Sequence, residues 1–142
     1  MRALLDVNVL IALLDADHVH HARARDWLRT HAAAGWASCP ITQNGCIRIL
    51  SQPAYPNPLP TAAVIERLAG ATRHPRHQFW PDDLSILDPS VVEHRQVHGP
   101  RQVTDLYLVA LAVQHKGRFA TFDDAIPINA IPRAGKKHLA VI

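Results

Sequence analysis

The sequence contains no apolar run long enough to cross a membrane. Of its 142 residues, 48% are hydrophobic and 19% are charged, which is the composition of a globular domain. A spanning helix needs about 20 consecutive apolar positions. The N-terminal residues also lack the basic segment, sustained apolar stretch and small-residue cleavage site of a secretory signal. We therefore expect a cytoplasmic protein that makes no contact with a membrane.

Cysteine is scarce, and this scarcity excludes a disulfide scaffold. The two cysteines, Cys39 and Cys46, do not form a CxxC motif, and a reducing cytoplasm would keep them as free thiols. The chain is nevertheless long enough to bury a core without disulfides or a structural metal. No internal repeat or low-complexity tract divides it, so we expect residues 1–142 to form one domain.

The charge balance is mildly basic. The formal net charge is +3, and ten histidines add positive charge at lower pH. This balance favours a polyanionic partner, although an excess of this size is also common in proteins that bind no nucleic acid.

Short apolar segments alternate with segments of helical periodicity. The predicted strands are 2–5, 36–39, one or two within 78–80 and 85–87, 118–121, and a candidate last strand at 138–142. The predicted helices are 7–14, 19–34, 41–50, 61–70, 89–97 and 103–115. Gly45 is a weak point of the third helix, and Thr61 is the expected cap of the fourth. The alternation predicts an α/β sandwich on a mostly parallel sheet of four or five strands.

Three aspartates are expected to meet at one end of this sheet. Asp6 ends the first strand, Asp123 follows a late strand, and Asp105 lies in the first turn of the helix that precedes that late strand. The carboxyl ends of parallel strands form the functional cleft of an open sheet. Each aspartate taken alone is better explained as a helix cap, but all three together point to one region.

Clustered carboxylates predict a bound cation. Like charges at contact distance are unfavourable unless a proton or a cation lies among them. Oxygen ligands of this kind suit Mg²⁺ or Mn²⁺, which bind through a few carboxylates and retain waters. The chemistry that follows is metal-assisted hydrolysis of a phosphodiester.

Two segments near opposite ends of the chain resemble the PIN domains of VapC toxins, which belong to bacterial toxin–antitoxin pairs. They read LLDVNVLIALLDADHVHH and VTDLYLVALAVQHKGRFATFD. The resemblance implies a PIN-like three-layer α/β/α sandwich and a homodimer. It implies a Mg²⁺- or Mn²⁺-dependent endoribonuclease that hydrolyses RNA phosphodiester bonds and inhibits translation and growth. It also implies a VapB-type antitoxin partner whose tail occupies the cleft.

The same resemblance implies roles for individual residues. Asp6 matches the first family acid, Asp105 the third and Asp123 the fourth, so these three are the implied catalytic residues and metal ligands. Asn8 and Thr121 match polar positions that support the acids.

The second family acid is the point where the match fails. The family usually has a glutamate near the start of the helix after the second strand, and Gln43 stands there. An amide offers a carbonyl oxygen but carries no negative charge and cannot act as a base. Three interpretations stay open: a natural variant that needs three carboxylates, a domain that binds RNA or antitoxin without turnover, or a sequence altered so that a toxic enzyme could be produced.

Six basic residues are candidates for contacts to RNA phosphates, which supply most of the sequence-independent affinity for nucleic acids. They are Arg23, Arg25, Arg29, Arg133, Lys136 and Lys137. The alternative is an ordinary solvated face, and the sequence favours neither interpretation.

Overall fold

A computed structural model describes residues 1–142 as one five-stranded parallel sheet with helices on both faces. The strands are β1 (Ala3–Leu5), β2 (Trp36–Ser38), β3 (His77–Phe79), β4 (Arg118–Thr121) and β5 (Leu139–Val141). The helices are α1 (Val7–Leu14), α2 (His21–Thr30), α3 (Pro40–Leu50), α4 (Thr61–Thr72) and α5 (Val103–Gln114). None of these helices combines the length and the hydrophobicity that a membrane span requires.

The strands alternate their side chains between two separate cores. Leu4 and Phe119 belong to the core that also contains α5, whereas Leu5 and Ala120 belong to the core formed with α1 to α4. Each face of the sheet is therefore covered by its own helical layer. This arrangement confirms the predicted α/β/α sandwich.

The strand order brings distant parts of the sequence together. The order is β3-β2-β1-β4-β5, so β1 lies between β2 and β4. Leu5 pairs with Ala120 in the parallel ladder. Because parallel strands end at the same edge, the residues that follow β1 and β4 become neighbours.

The prediction is wrong between residues 85 and 97. Of the one or two strands predicted within 78–80 and 85–87, one forms, His77–Phe79, whereas residues 86–87 form a turn. Of the predicted helix 89–97, only His94–Gln96 is helical, as a 3-10 turn. The side chain of Asp88 accepts the backbone N–H of Ser90 at 2.9 Å. Such a local bond competes with regular structure, and Leu87 lies exposed instead of filling a core position.

The helices also differ from the prediction in their ends and caps. The second helix covers His21–Thr30 rather than 19–34, and a separate 3-10 turn, Ala32–Ala34, follows it. The cap of α4 is Pro60 rather than Thr61. The ring of proline fixes its φ angle at a value that suits the start of a helix. The helix α3 continues through Gly45 without a break.

Gly45 marks the close contact between α3 and α1. A Cβ added there would lie 2.7 Å from Cγ2 of Val7, the residue after Asp6. We expect Gly45→Ala to lower the free energy of unfolding by about 1–3 kcal/mol, because a crowded core must shift. Urea unfolding measures the change.

Gly70→Ala is the matched control. Gly70 also lies within a helix, but the nearest atom to an added Cβ is 3.9 Å away. Alanine should raise stability there by up to about 1 kcal/mol through helix propensity. Equal stabilisation by both substitutions would show that the contact at Gly45 is not tight.

Candidate active site

Asp6 connects the first strand to both α1 and β4. It follows β1 and caps α1, where one carboxylate oxygen accepts the backbone N–H of Val7 at 2.7 Å. The other oxygen accepts the hydroxyl of Thr121, the last residue of β4, at 2.7 Å. Burial raises the pKa of the Asp6 carboxyl, and the two hydrogen bonds oppose this rise. The carboxylate is therefore held in one orientation between the two central strands.

Asp123 is positioned by the same threonine hydroxyl. Its backbone N–H donates to Oγ1 of Thr121 at 3.1 Å, so this oxygen bridges Asp123 to Asp6. One carboxylate oxygen of Asp123 accepts the N–H of Ala125 at 2.8 Å, and the side chain is exposed. The buried Thr121 thus contacts both aspartates, as a supporting residue would.

Asp105 reaches the same region from α5, on the opposite face of the sheet from α1. It lies in the first turn of α5, and no group of the protein donates a hydrogen bond to its carboxylate. Burial, followed by the negative charges of Asp6 and Asp123, raises the pKa of Asp105 to about 6. Asp6 and Asp123 are therefore close enough to Asp105 to influence its ionisation.

The chemistry of these acids fits a divalent cation. In the structure no group of three or more His, Cys, Asp or Glu side chains is placed so that it could hold a metal ion by itself. Mg²⁺ does not require such a set, because it commonly binds through one or two carboxylates and keeps several waters. Asp105 is the side chain that fits best, since its partly buried carboxylate has no other partner.

Two of the predicted supporting residues make no hydrogen bond to the acids. Asn8 is exposed on α1. Gln43 donates from Nε2 to Oγ of Ser38 at 2.9 Å, and that oxygen lies 2.8 Å from Nε2 of His77. Gln43 therefore belongs to a hydrogen-bonded chain that links α3, β2 and β3.

The sequence analysis missed Ser38 and His77. Ser38 is completely buried, and burial lowers the pKa of His77. The sequence signal that could have indicated this pair is Ser38 itself, a polar residue at the end of a buried strand. A buried polar group needs a hydrogen-bond partner.

The basic residues of α2 point to two different ends of the sheet. Arg23 donates to the backbone carbonyl of Ile142 and lies 5.6 Å from the ring centroid of Phe122, beside Asp123. Arg25 and Arg29 instead line a cavity beside Trp36, at the start of β2.

The other three basic candidates lie elsewhere. Arg133 is exposed beside a small cavity against α5, whereas Lys136 and Lys137 are exposed in the 3-10 turn before β5. The six residues do not form one continuous surface, and their contacts to RNA stay a prediction.

The profile of the PIN domain family matches residues 3–131. Ribonuclease VapC44 of Mycobacterium tuberculosis is 56% identical over 142 residues, which is 100% of each chain. The chain belongs to the VapC family of PIN-domain proteins.

Two solved structures share the VapC fold. VapC20 of Mycobacterium tuberculosis, described as a sarcin-ricin loop cleaving toxin, has a TM-score of 0.63 at 9% identity and covers 93% of this chain and 98% of its own. VapBC2 of Rickettsia felis, bound to a DNA fragment from their promoter, has a TM-score of 0.59 at 12% identity and covers 100% and 98%. At these identities the likeness shows the fold alone.

The raised pKa of Asp105 predicts a stability change in the Asp105→Asn variant. Between about pH 4 and pH 6 the folded chain holds a proton that the unfolded chain loses, so this carboxyl makes the fold less stable as pH rises. We expect Asp105→Asn to raise the free energy of unfolding by about 1 kcal/mol near neutral pH, after a discount for solvent exposure. The gain should shrink below about pH 4, as urea unfolding at both pH values would measure.

Asp17→Asn is the control for this measurement. Asp17 is exposed, and no hydrogen bond holds its side chain. We expect no comparable gain there. A loss of stability in Asp105→Asn near neutral pH would contradict the charge repulsion inferred for the three aspartates.

The hydrogen-bonded chain through Gln43 predicts a change at His77. The amide Nε2 donates to the Ser38 hydroxyl, which leaves that hydroxyl free to donate to Nε2 of a neutral His77 ring. A carboxylate can only accept, so in Gln43→Glu the hydroxyl turns to residue 43 and His77 has to donate. We expect the pKa of His77 to rise, because the charged ring can donate to the hydroxyl, as NMR titration of the ring would measure.

Asn44→Asp places the same charge on the next residue of α3, which is exposed. Its effect on the pKa of His77 should be much smaller. An equal shift in both variants would mean that charge alone, rather than the direction of the hydrogen bonds, controls His77.

Proposed function

We propose that this chain, as a single PIN domain over residues 1–142, is a divalent-metal-dependent endoribonuclease toxin paired with a VapB-type antitoxin. The observation that carries the proposal is the carboxylate of Asp105, which has no hydrogen-bond donor and faces the charges of Asp6 and Asp123. A cation stabilises such a group, and phosphodiester hydrolysis uses one. RNA cleavage would inhibit translation and growth.

The three aspartates would hold Mg²⁺ or Mn²⁺ in this proposal. When bound, the ion supplies a polarised water and offsets negative charge on the phosphate. Asp6 keeps a fixed orientation, because Val7 and Thr121 occupy both of its oxygens from the protein side. A bound cation would lower the pKa of Asp105 and hold its carboxylate in the ionised form, because opposite charge favours the charged carboxyl.

The relatives support RNA as the substrate. VapC44, which is identical at 56% of positions over the whole chain, is named a ribonuclease. VapC20 shares the fold and is described as cleaving the sarcin-ricin loop. VapBC2 pairs a toxin of this fold with its antitoxin. We extend these properties to this chain, together with a homodimer and a cytoplasmic location.

The alternative function is binding of RNA or antitoxin without turnover, motivated by Gln43. The contact between Gln43 and Ser38 argues against it, because the amide is engaged with Ser38 and makes no hydrogen bond to the acids. The proposed active site then depends on three carboxylates, and a missing charge at residue 43 leaves them intact.

Cleavage of a mixed RNA pool with Mn²⁺ tests the proposal. We expect the starting protein and Gln43→Glu to cut, and Asp105→Asn to be slower by about 100-fold or more, since the ion supplies several kcal/mol. Asp17→Asn, which removes an equal charge from an exposed site, should cut normally. A chelator should stop cleavage by all variants.

The remaining outcomes separate the two functions. Cleavage by Gln43→Glu alone would identify this chain as a silenced nuclease. RNA binding without cleavage by any variant would support the binding-only alternative. Cleavage that resists the chelator would exclude the metal mechanism.

A further inference from the structure

The amino ends of the strands carry basic residues, at the opposite edge of the sheet from the three aspartates. Arg2 precedes β1, Arg76 precedes β3, and Arg118 begins β4. All strands are parallel, so these residues lie along one edge. The molecule therefore has an acidic carboxyl edge and a basic amino edge.

A cavity of about 260 Å³ opens at the amino edge beside β2 and β3. We call it the basic cavity. Its lining is formed by Arg25, Leu28, Arg29, Ala32, Trp36, His74 and Arg76. Four of these residues are basic and none is acidic, while the other three offer apolar surface.

The positive charges in the basic cavity are poorly compensated. Arg76 donates to the backbone carbonyls of Ala32 and Ala33 at 3.0 and 3.1 Å, which fix its position without neutralising it. Arg25 pairs with the exposed Asp26 at 3.3 Å, and exposed pairs of this kind are weak. Arg29 makes neither a hydrogen bond nor an ion pair with the protein.

We propose that the basic cavity binds one nucleotide unit of single-stranded RNA. The phosphate would contact Arg25 and Arg29, and the base would lie against Leu28 and the small part of Trp36 that the fold leaves exposed. Cations beside a flat apolar surface are the combination that single-stranded nucleic acids require. The choice of RNA as the ligand rests on the proposed function. The inference that the cavity binds an anion joined to a flat apolar group does not depend on that function.

The two edges are separated by the length of the strands. A strand of three or four residues spans about 10–13 Å, so the basic cavity does not belong to the cluster of aspartates. The cavity would therefore hold the RNA at a distance from the cleaved bond and contribute to affinity rather than to chemistry.

Fluorescence anisotropy with a labelled single-stranded RNA tests this site. The titration contains a chelator, so that no cleavage occurs. We expect the double variant Arg25→Gln/Arg29→Gln to bind about tenfold more weakly or worse. The slope of log K against log salt should fall by about 1.4, since each lost contact to a single strand contributes about 0.7.

Arg48→Gln/Arg95→Gln is the matched control. Both arginines are exposed and lie outside the basic cavity. Their substitution removes the same net charge as the cavity variant. This control should retain most of the affinity. An equal loss in the control, or no loss in the cavity variant, overturns the proposal. Equally strong binding of duplex DNA with the same sensitivity overturns the choice of single-stranded RNA.

Cleavage kinetics distinguish this site from the proposed nuclease function. In the cavity variant, KM should rise more than kcat falls. If the native chain binds RNA through the basic cavity but cuts none, the cavity proposal stands and the nuclease proposal fails. If the native chain cuts RNA and the cavity variant has an unchanged KM, the nuclease proposal stands and the cavity proposal fails. If the native chain does not bind RNA at all, both fail.

Discussion

The hydrogen bond from Thr121 to Asp6 is the interaction on which the acidic edge depends. It joins residues 115 positions apart in sequence and lies where the two central strands end. The same Thr121 oxygen accepts the N–H of Asp123, so one buried hydroxyl orients two aspartates. The price is a buried carboxyl at Asp6, whose raised pKa reflects lost hydration. A cation or a proton at Asp105 relieves the repulsion that this arrangement creates.

Separation of charge along the strands gives the molecule two chemically different edges. The acids lie where β1 and β4 end, and the arginines lie where strands begin. Parallel strands produce this separation automatically, because every strand presents its carboxyl end to the same side. Gln43 contacts Ser38, the last residue of β2, and its amide makes no hydrogen bond to the acids.

Most elements of the fold could be predicted because their patterns are local. The helix Val7–Leu14 and the strand Arg118–Thr121 have the predicted boundaries, since apolar periodicity and the flanking residues both indicate them. The segment 85–97 could not be predicted in this way. Its backbone bonds are made by turns and by the contact from Glu93 N–H to the carbonyl of Ala130, a partner that no local pattern indicates.

The sequence by itself determined the family, the alternating architecture and the three aspartates in their order, because these are properties of pattern and spacing. Only the tertiary structure decided which groups surround them. In the fold no group donates a hydrogen bond to Asp105, and Gln43 donates to Ser38. Arg23 contacts the end of β5, whereas Arg29 lines the basic cavity. Side-chain direction depends on packing between distant elements, and charge becomes uncompensated only where the fold withholds a partner.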